Sequence, residues 1–545
     1  MSKPPKNYME AKMKKSKSLS LLFAFLLLIG ILSACNGSNS QTSTSPSTVQ
    51  TDDESTDTGS VAGDMAHPTE TAKTNLVIVT PSLPVSLDPT GSNDSASAQV
   101  NKQIYEALIV LDYDTFAPKP GLALSWDIID PQTVNFILRE NVTFHNGAAF
   151  TANDVKYSLE KAAASSHFTA VLGMIDSVTV NGDYDITIHL STPFAPILRH
   201  LAHPGSAISP AGISAENLAE NPIGTGPFMF NDLVLGDKVE LVRNENYWND
   251  LPVIESLTFR LVPDSSGRLL AVETGEADIA LDLQPPDLVP AQTYANVNLV
   301  RRMNLSTNYV GFNAEKEPFD NPLVRQAINY AIPTQQIVDV VFMGVGAPVH
   351  GPIPDIVFGY AEIEPFNYDV QKAKELMIEA GYEDGFSTTI WYNVPNQTRM
   401  DIAEIIQHSL REINIEVESV GLEWGDYLAR TENGEHDMFI LGWTSVTGDA
   451  DYGLYPLFHS DNFGGAGNRT FYANSEVDRL LELGRAEIDE DARIEVYRDV
   501  QQIIRDEAPW IFVNQGEYLV AIAANLNGFV INPSGHHDYY GVWFS

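Results

Sequence analysis

Cysteine is almost absent from this sequence, which contains a single one, Cys35, among 545 residues. A lone cysteine cannot form an internal disulfide, so apolar burial and hydrogen bonds must hold the fold. Basic residues are also scarce: 32 Lys and Arg stand against 72 Asp and Glu, and the net charge is −40. This balance argues against nucleic acid as a partner, because phosphate binding needs clustered Lys and Arg. Any anionic ligand must be met by a locally placed Arg, Lys or backbone N–H group.

Long hydrophobic runs are missing except near the start, where residues 19–32 form an apolar stretch behind several lysines. The stretch is too short to span a bilayer comfortably, and no stop-transfer pattern follows it. It ends at Cys35 in the tetrapeptide Leu-Ser-Ala-Cys, which resembles a bacterial lipobox. The resemblance implies a lipoprotein signal peptide over residues 1–35 and a membrane anchor through lipid on Cys35. The alternatives are an ordinary signal peptide and a buried apolar segment.

The usual catalytic and metal-binding motifs are also missing. The sequence has no phosphate-binding P-loop, no His-Glu-x-x-His, no Gly-x-Ser-x-Gly and no cysteine nucleophile. His536, His537 and Asp538 could be metal ligands, but we interpret them as a solvated turn. The segment Gly448–Gly453 lacks the full acidic pattern of a calcium loop. We therefore predict a protein that is not an enzyme and that uses no cofactor and no metal.

The rest of the chain combines a polar tether with α/β lobes. Residues 36–74 are rich in Ser, Thr, Asp and Gly, and we interpret them as disordered. Alternating apolar residues predict strands, for example at 184–190. Thr151 and Asp154 form a capping-box pattern, which predicts the start of a helix. Strands and helices mixed over about 470 residues indicate two or three α/β lobes.

An ordered set of segments resembles the peptide/nickel class of extracellular solute-binding proteins. The segments are Leu87–Pro89, Ile104–Leu108, Phe136–Gly147, Phe150–Val155, Asn221–Phe228, Asn244–Trp248, Gly275–Asp278 and Asn321–Ala331. Each segment alone is a weak signal, but their order is specific. The resemblance implies a two-lobed, hinged α/β fold of the type II periplasmic-binding-protein kind with an additional small domain.

The resemblance also implies an organisation and a set of partners. We expect lobe I from residues 75–108, 212–305 and 510–545, the small domain from 109–211, and lobe II from 306–509. The protein would be a monomer on the extracellular face of the bacterial cytoplasmic membrane. It would close over a small peptide and deliver it to the permease subunits of an ABC importer. The remote alternative is a lipid-anchored hydrolase or adhesin.

The ligand is expected beside the segment Leu441–Ser460, which we predict to be a loop at the carboxyl end of a strand. In this class, free-dipeptide binders carry an Asp three residues after the Gly-Trp pair, and here that position is Val446. The same binders carry an Arg for the ligand carboxylate, and the nearest equivalent here is Trp391. Both dipeptide anchors are therefore missing.

The segment instead resembles the glutathione-type branch, which favours glutathione or a γ-glutamyl peptide over a general di- or oligopeptide. The expected ligand-binding residues are Asn93, Tyr309, Trp391, Arg399, Trp443, Thr444, Asp449, Asp451, Tyr452 and Arg469. Asp449 or Asp451 would hold the ammonium, and Arg399 or Arg469 a carboxylate. The alternative roles are helix capping or loop ordering for the two acids, and a surface ion pair for Arg399.

Overall fold

The computed structural model describes residues 73–394 and 396–545. The predicted signal peptide, the lipidation site Cys35 and nearly all of the predicted tether lie outside these residues. Within the described ranges, no helix is both long and apolar enough to cross a membrane.

Strands from the whole described chain join in one long mixed sheet and in smaller ones. The strands are β1 Asn75–Thr80, β2 Ile109–Leu111, β3 Pro118–Pro120, β4 Ala123–Asp130, β5 Thr133–Leu138, β6 Ile175–Gly182, β7 Asp185–Leu190, β8 Phe228–Val234, β9 Lys238–Arg243, β10 Ser256–Leu261, β11 Ile279–Ala280, β12 Val297–Phe312, β13 Ala347–Pro348, β14 Phe386–Val394, β15 Ile415–Glu423, β16 Met438–Thr444, β17 Trp510–Ala523, β18 Leu526–Asn527 and β19 Trp543–Phe544. The long sheet has the order β15-β14-β16-β12-β17-β11-β1-β10-β9-β8, with β13 beside β17.

Helices pack against these sheets. They are α1 Ser95–Ile104, α2 Ala152–Ala163, α3 Thr169–Leu172, α4 Ile197–His200, α5 Ala215–Glu220, α6 Ser265–Glu273, α7 Leu288–Thr293, α8 Pro322–Ala331, α9 Thr334–Val340, α10 Val370–Glu379, α11 Gln397–Leu410, α12 Trp424–Glu432, α13 Ala450–Phe458, α14 Ser475–Ala486 and α15 Glu490–Glu507.

Two long strands, β12 and β17, connect the two halves of the long sheet. One half contains β1 with its parallel neighbours β10 and β11, and the other contains β14 with its parallel neighbours β15 and β16. The ladder between β12 and β17 is interrupted between Met303 and Thr307, at the junction of the halves. Trp510–Gln515 pair with Thr307–Gly311, so these residues of the predicted lobe I lie beside lobe II.

A separate antiparallel sheet of order β4-β5-β7-β6 lies within residues 109–211. Its buried side chains, such as Phe136 and Ile188, pack in one core with Val155 and Leu159 of α2. Apolar and polar residues alternate along these strands, so the apolar side chains lie on one face of the sheet, as the sequence predicts. The capping box at the start of α2 is confirmed, because the Thr151 backbone N–H donates to the Asp154 carboxylate at 2.8 Å.

The segment Leu441–Ser460 is only partly a loop, so the prediction of a loop over its whole length is wrong. Strand β16 continues to Thr444, and α13 begins at Ala450 after a turn of five residues. The turn requires Gly448, whose φ of +65° is rarely adopted by other residues. The helix begins there because Asp449 caps it by accepting the Asp451 backbone N–H at 2.9 Å.

Candidate functional site

Two adjoining cavities open where α1, the turn after α4, the end of β16 and the C-terminal segment meet. The larger cavity has a volume of about 280 Å³ and the smaller about 190 Å³. The residues that line both are Asn101, His203, Pro204, Val446 and His536. These residues come from both predicted lobes and the predicted small domain, so a ligand here would contact all three predicted parts. Only such a ligand can stabilise a closed arrangement of hinged lobes.

The larger cavity has aromatic walls and few charges, which is typical of sites for small ligands. Its aromatic residues are Tyr105, Tyr113, Phe116, Tyr247, Trp248 and Tyr540, and its charged residues are Lys102, Glu106 and Asp538. Glu106 is already engaged, because its carboxylate accepts hydrogen bonds from Thr225, Tyr247 and Trp248 at 2.8, 2.9 and 2.9 Å. Burial raises the pKa of this carboxyl.

The smaller cavity contains three of the residues predicted from the sequence, Asn93, Thr444 and Tyr452. Trp443 supports them, because its Nε1 donates to the Tyr452 carbonyl at 2.8 Å. The Thr444 hydroxyl lies 2.9 Å from that of Ser306 on the neighbouring strand β12. The carboxyl end of β16 thus forms one wall of the cavity.

Arg399 and Arg469 meet at the buried phenols of Tyr309 and Tyr427. Burial raises the pKa of both tyrosines, and the two guanidiniums oppose that shift, which places all four groups within electrostatic range. Arg399 Nη1 donates to the side-chain Oδ1 of Asn393 at 2.5 Å. Burial lowers the pKa of Arg399, and the neighbours that oppose the shift are tyrosines, not carboxylates. Among the described residues, Arg399 forms no ion pair within 4.0 Å, so the alternative of a surface ion pair finds no support there.

A third cavity, of about 460 Å³, includes Arg399 in its lining. It is lined by Gln284, Asn308, Tyr309, Phe342, Asn396, Gln397, Thr398, Arg399, Ile402, Ile440 and Val513. The first turn of α11 contributes Arg399, so the positive end of that helix faces the same space. Nε of Arg469 is buried and has no hydrogen-bond partner among the described residues. Arg399 therefore lines a cavity, while Arg469 adds a second positive charge near the same tyrosines.

Trp391 is part of the apolar core beside these groups. Its side chain is uncharged, so it brings no charge to the cavities. Its Nε1 donates to the Thr389 hydroxyl at 3.1 Å, and the Arg430 guanidinium lies 4.5 Å from its ring. It is 6% exposed. Its role as an apolar wall stays a prediction.

Asp449 is engaged by the protein itself. Its carboxylate is fully buried and accepts hydrogen bonds from Arg493 at 2.8 and 3.2 Å, while Arg199 lies at 3.6 Å. Burial favours the neutral acid, but Arg493 and Arg199 outweigh it and lower the pKa of Asp449. Asp449 also caps α13, so the geometry matches the capping role that the sequence left as an alternative.

Within the described ranges, Asp451 forms an ion pair but no hydrogen bond through its Oδ1. It is 2% exposed, and its Oδ1 lies 3.0 Å from Nε of Arg485, although neither atom has a hydrogen-bond partner among the described residues. Its Oδ2 lies 3.7 Å from Nε2 of His200, a residue of the predicted small domain. Two acids paired with guanidiniums therefore lie at the start of α13, and neither lines one of the three cavities.

Of the segment His536–Asp538, interpreted from the sequence as a solvated turn, only Asp538 is exposed, so that interpretation is wrong for the two histidines. His536 and His537 are 7% and 2% exposed, and burial lowers the pKa of both to about 3. Nδ1 of His537 accepts the Asn532 backbone N–H at 3.1 Å. Among the described residues, no group of three or more possible ligands is arranged to hold a metal ion.

The sequence missed several residues of the larger cavity, including Lys102, Tyr113 and His203, and it considered Asp538 only as a metal ligand. No motif or spacing connects these residues. Only the resemblance of the neighbouring segments could have drawn attention to this region.

Comparison with known proteins identifies the family. The family model described as bacterial extracellular solute-binding proteins, family 5, middle region, matches residues 117–465. The chain belongs to this family. Glutathione-binding protein GsiB of Pectobacterium atrosepticum is 34% identical over 87% of this chain and 95% of its own length. Heme-binding protein A of Haemophilus influenzae is 32% identical over 97% of this chain and 99% of its own length.

Solved structures of this family have the same fold. HbpA2 from Haemophilus parasuis is 30% identical, with a TM-score of 0.78, and covers 86% of this chain with all of its own. DppA from Helicobacter pylori, solved with the peptide STSA, is 30% identical, with a TM-score of 0.75, over 87% of this chain and 98% of its own. The predicted two-lobed α/β fold of type II is therefore confirmed.

Membership also fixes the kind of activity. Family 5 proteins are the extracellular solute-binding components of ABC importers, and they are not enzymes. This solute-binding protein therefore binds a solute and does not convert it chemically.

Proposed function

We propose that this solute-binding protein captures a small acidic peptide, glutathione or another γ-glutamyl peptide, and delivers it to a membrane permease. The observation that carries the proposal is the pair Arg399 and Arg469. In a chain of net charge −40, the electrostatic neighbours of Arg399 are tyrosines, and Nε of Arg469 is buried with no hydrogen-bond partner in the part of the chain that the structure describes.

The energetic cost of such groups favours an anionic ligand. A buried charge without a counter-ion is strongly unfavourable, and a carboxylate that reaches it forms charge-assisted hydrogen bonds. Arg399 lines the third cavity, so a ligand carboxylate that enters this cavity can reach it.

Ordinary dipeptides fit this site poorly. Val446 lines both cavities at the position where the resemblance places an acid for the ligand ammonium. Trp391 stands where an arginine for the ligand carboxylate is expected, and it packs beneath Arg430. The relative named as glutathione-binding, at 34% identity, supports the same ligand class.

A general peptide receptor is the second candidate. It is favoured by the solved relatives that hold peptides, the tetrapeptide STSA in one and Met-Leu in another that is 27% identical. The adjoining cavities offer space for more than one residue of such a peptide.

Calorimetry with purified protein distinguishes the two candidates. We expect glutathione to bind and dialanine to bind at least 30-fold more weakly, because losing one buried charge-assisted contact costs roughly 2–5 kcal/mol. Arg399→Gln and Arg469→Gln should each weaken glutathione binding by a similar factor. The matched control is Arg411→Gln, whose side chain at the end of α11 is 54% exposed. Tight binding of dialanine without binding of glutathione would contradict the proposal.

The proposal includes membrane attachment of a monomer through lipid on Cys35, which lies outside the described residues. The lipobox-like sequence supports it, and two or more acyl chains would hold the protein stably at the membrane.

A further inference from the structure

The structure offers a site for the ligand ammonium other than Asp449 and Asp451, which are both engaged by arginines. Three carboxylates line the two cavities. Glu106 already accepts three hydrogen bonds. Asp94 caps α1 and accepts hydrogen bonds from Ser92 and Ser97 at 2.5–2.9 Å. Asp538 is the remaining one.

Asp538 is only partly engaged. Its Oδ1 accepts the Tyr540 backbone N–H at 2.8 Å. In the described part of the chain, Oδ2 has no hydrogen-bond donor, and the carboxylate forms no ion pair within 4.0 Å. An ammonium that enters the larger cavity can therefore reach this oxygen.

Lys102 lies on the wall of the same cavity, in the last turn of α1. Its Nζ lies 5.9 Å from the centroid of the Tyr113 ring. Within the described ranges it has no carboxylate at ion-pair distance. Burial opposes its charge, but the Tyr113 phenol and the Asp538 carboxylate outweigh burial and raise the pKa of Lys102. The C-terminal end of a helix also favours a cation.

Lys102 and Asp538 thus present opposite charges to one cavity without neutralising each other by direct contact. An α-amino-acid group has a carboxylate and an ammonium on a single carbon, so it can bind both residues at once. In a γ-glutamyl peptide this group is intact, because the peptide bond uses the side-chain carboxyl. In an α-linked peptide the two charges lie on different residues. The pair therefore favours γ-glutamyl over α-linked peptides.

We infer that Lys102 and Asp538 bind the free α-amino-acid end of a γ-glutamyl ligand in the larger cavity, Lys102 its carboxylate and Asp538 its ammonium. This inference rests on the proposed function and adds the specificity-determining residues. Tyr113, which interacts with both charges, is the aromatic floor of the site.

The test combines ligand analogues with variants of the full protein. The ligands are glutathione, its analogue with γ-aminobutyrate in place of glutamate, which lacks the α-carboxylate, and N-acetylglutathione, which lacks the ammonium. We expect the wild type to bind both analogues at least 30-fold more weakly than glutathione. Lys102→Met should bind glutathione and the γ-aminobutyryl analogue with nearly equal affinity. Asp538→Asn should do the same for glutathione and N-acetylglutathione.

Lys372→Met, at an exposed position on α10, is the matched control and should keep the wild-type discrimination. Equal binding of glutathione and both analogues by the wild type would overturn the inference, even if a variant failed to fold. Variants that lose affinity for glutathione and the analogue by the same factor would overturn it too. In both cases the proposed function would stand. A wild type that does not bind glutathione overturns the proposed function and this inference with it.

Discussion

Replacing Asp449 by asparagine separates a structural role of this residue from a role in ligand binding. Asparagine keeps the size and the helix-capping oxygen but removes the charge. Arg493, which is 1% exposed, would then lack its carboxylate partner, as would the nearby Arg199. Removing one member of a buried ion pair costs about 3–5 kcal/mol, because the other charge stays buried without compensation.

The expected change in melting temperature follows from the size of the protein. Unfolding entropy is about 2.1 cal/mol/K per residue, so a folded region of about 470 residues has roughly 1 kcal/mol/K. A loss of about 3–5 kcal/mol therefore lowers Tm by about 3–5 °C. Scanning calorimetry without ligand, at neutral pH, measures this shift.

The matched control is Glu490→Gln. Glu490 also contacts Arg199, at 3.0 Å, but it is 60% exposed. Exposed ion pairs contribute at most about 1 kcal/mol, so its Tm should change by about 1 °C or less. Glutathione affinity of Asp449→Asn should stay within about threefold of the wild type. An unchanged Tm together with a loss of affinity of a hundredfold or more would refute the reasoning and make Asp449 a ligand-binding residue.

Two further predictions concern the anchor and a buried histidine. Cys35→Ser should release the protein from the membrane fraction into the medium, and mass spectrometry of the wild-type N-terminus should show an attached lipid. If the variant fractionates like the wild type and the wild type shows no lipid mass, the prediction of a lipid anchor is contradicted. Burial lowers the pKa of His436 from 6.5 to about 3, so its stabilising contribution is present above pH 6.5 and is lost as the pH falls toward 3. The wild type should therefore lose stability when the pH falls from 6.5 to 5, and His436→Phe should reduce that loss by about 2 kcal/mol, seen as a difference of about 2 °C in Tm. The control is His408→Gln at an exposed position, which should leave the loss of stability unchanged.

Local sequence patterns predicted the elements of the fold well. The N-cap Asn321 followed by proline begins α8, and its side chain accepts the Leu323 backbone N–H at 3.0 Å. Gly275 follows α6 with a φ of +76°, as expected of a glycine that ends a helix before a strand. Such features depend on residues a few positions apart, so the sequence alone contains them.

The segment after the Gly-Trp pair shows where local reasoning fails. Its place at the carboxyl end of a strand suggested a loop, yet α13 forms there with Pro456 inside the helix. Tyr452, Leu454 and Phe458 are all buried against neighbouring elements. Tertiary packing of these apolar side chains overrides the weak helix propensity of the segment.

The sequence by itself determined the acidic character, the α/β class and the family resemblance, because each depends on composition or on short-range order. It also named Arg399 and Arg469 as candidates for a carboxylate. Only the tertiary structure decided which charges are available. Asp449 binds Arg493, whereas Lys102 and Asp538 face one cavity from opposite ends of the chain. The physical reason is that a charge is neutralised by whatever lies within a few ångströms in space, and no local pattern of residues encodes that distance.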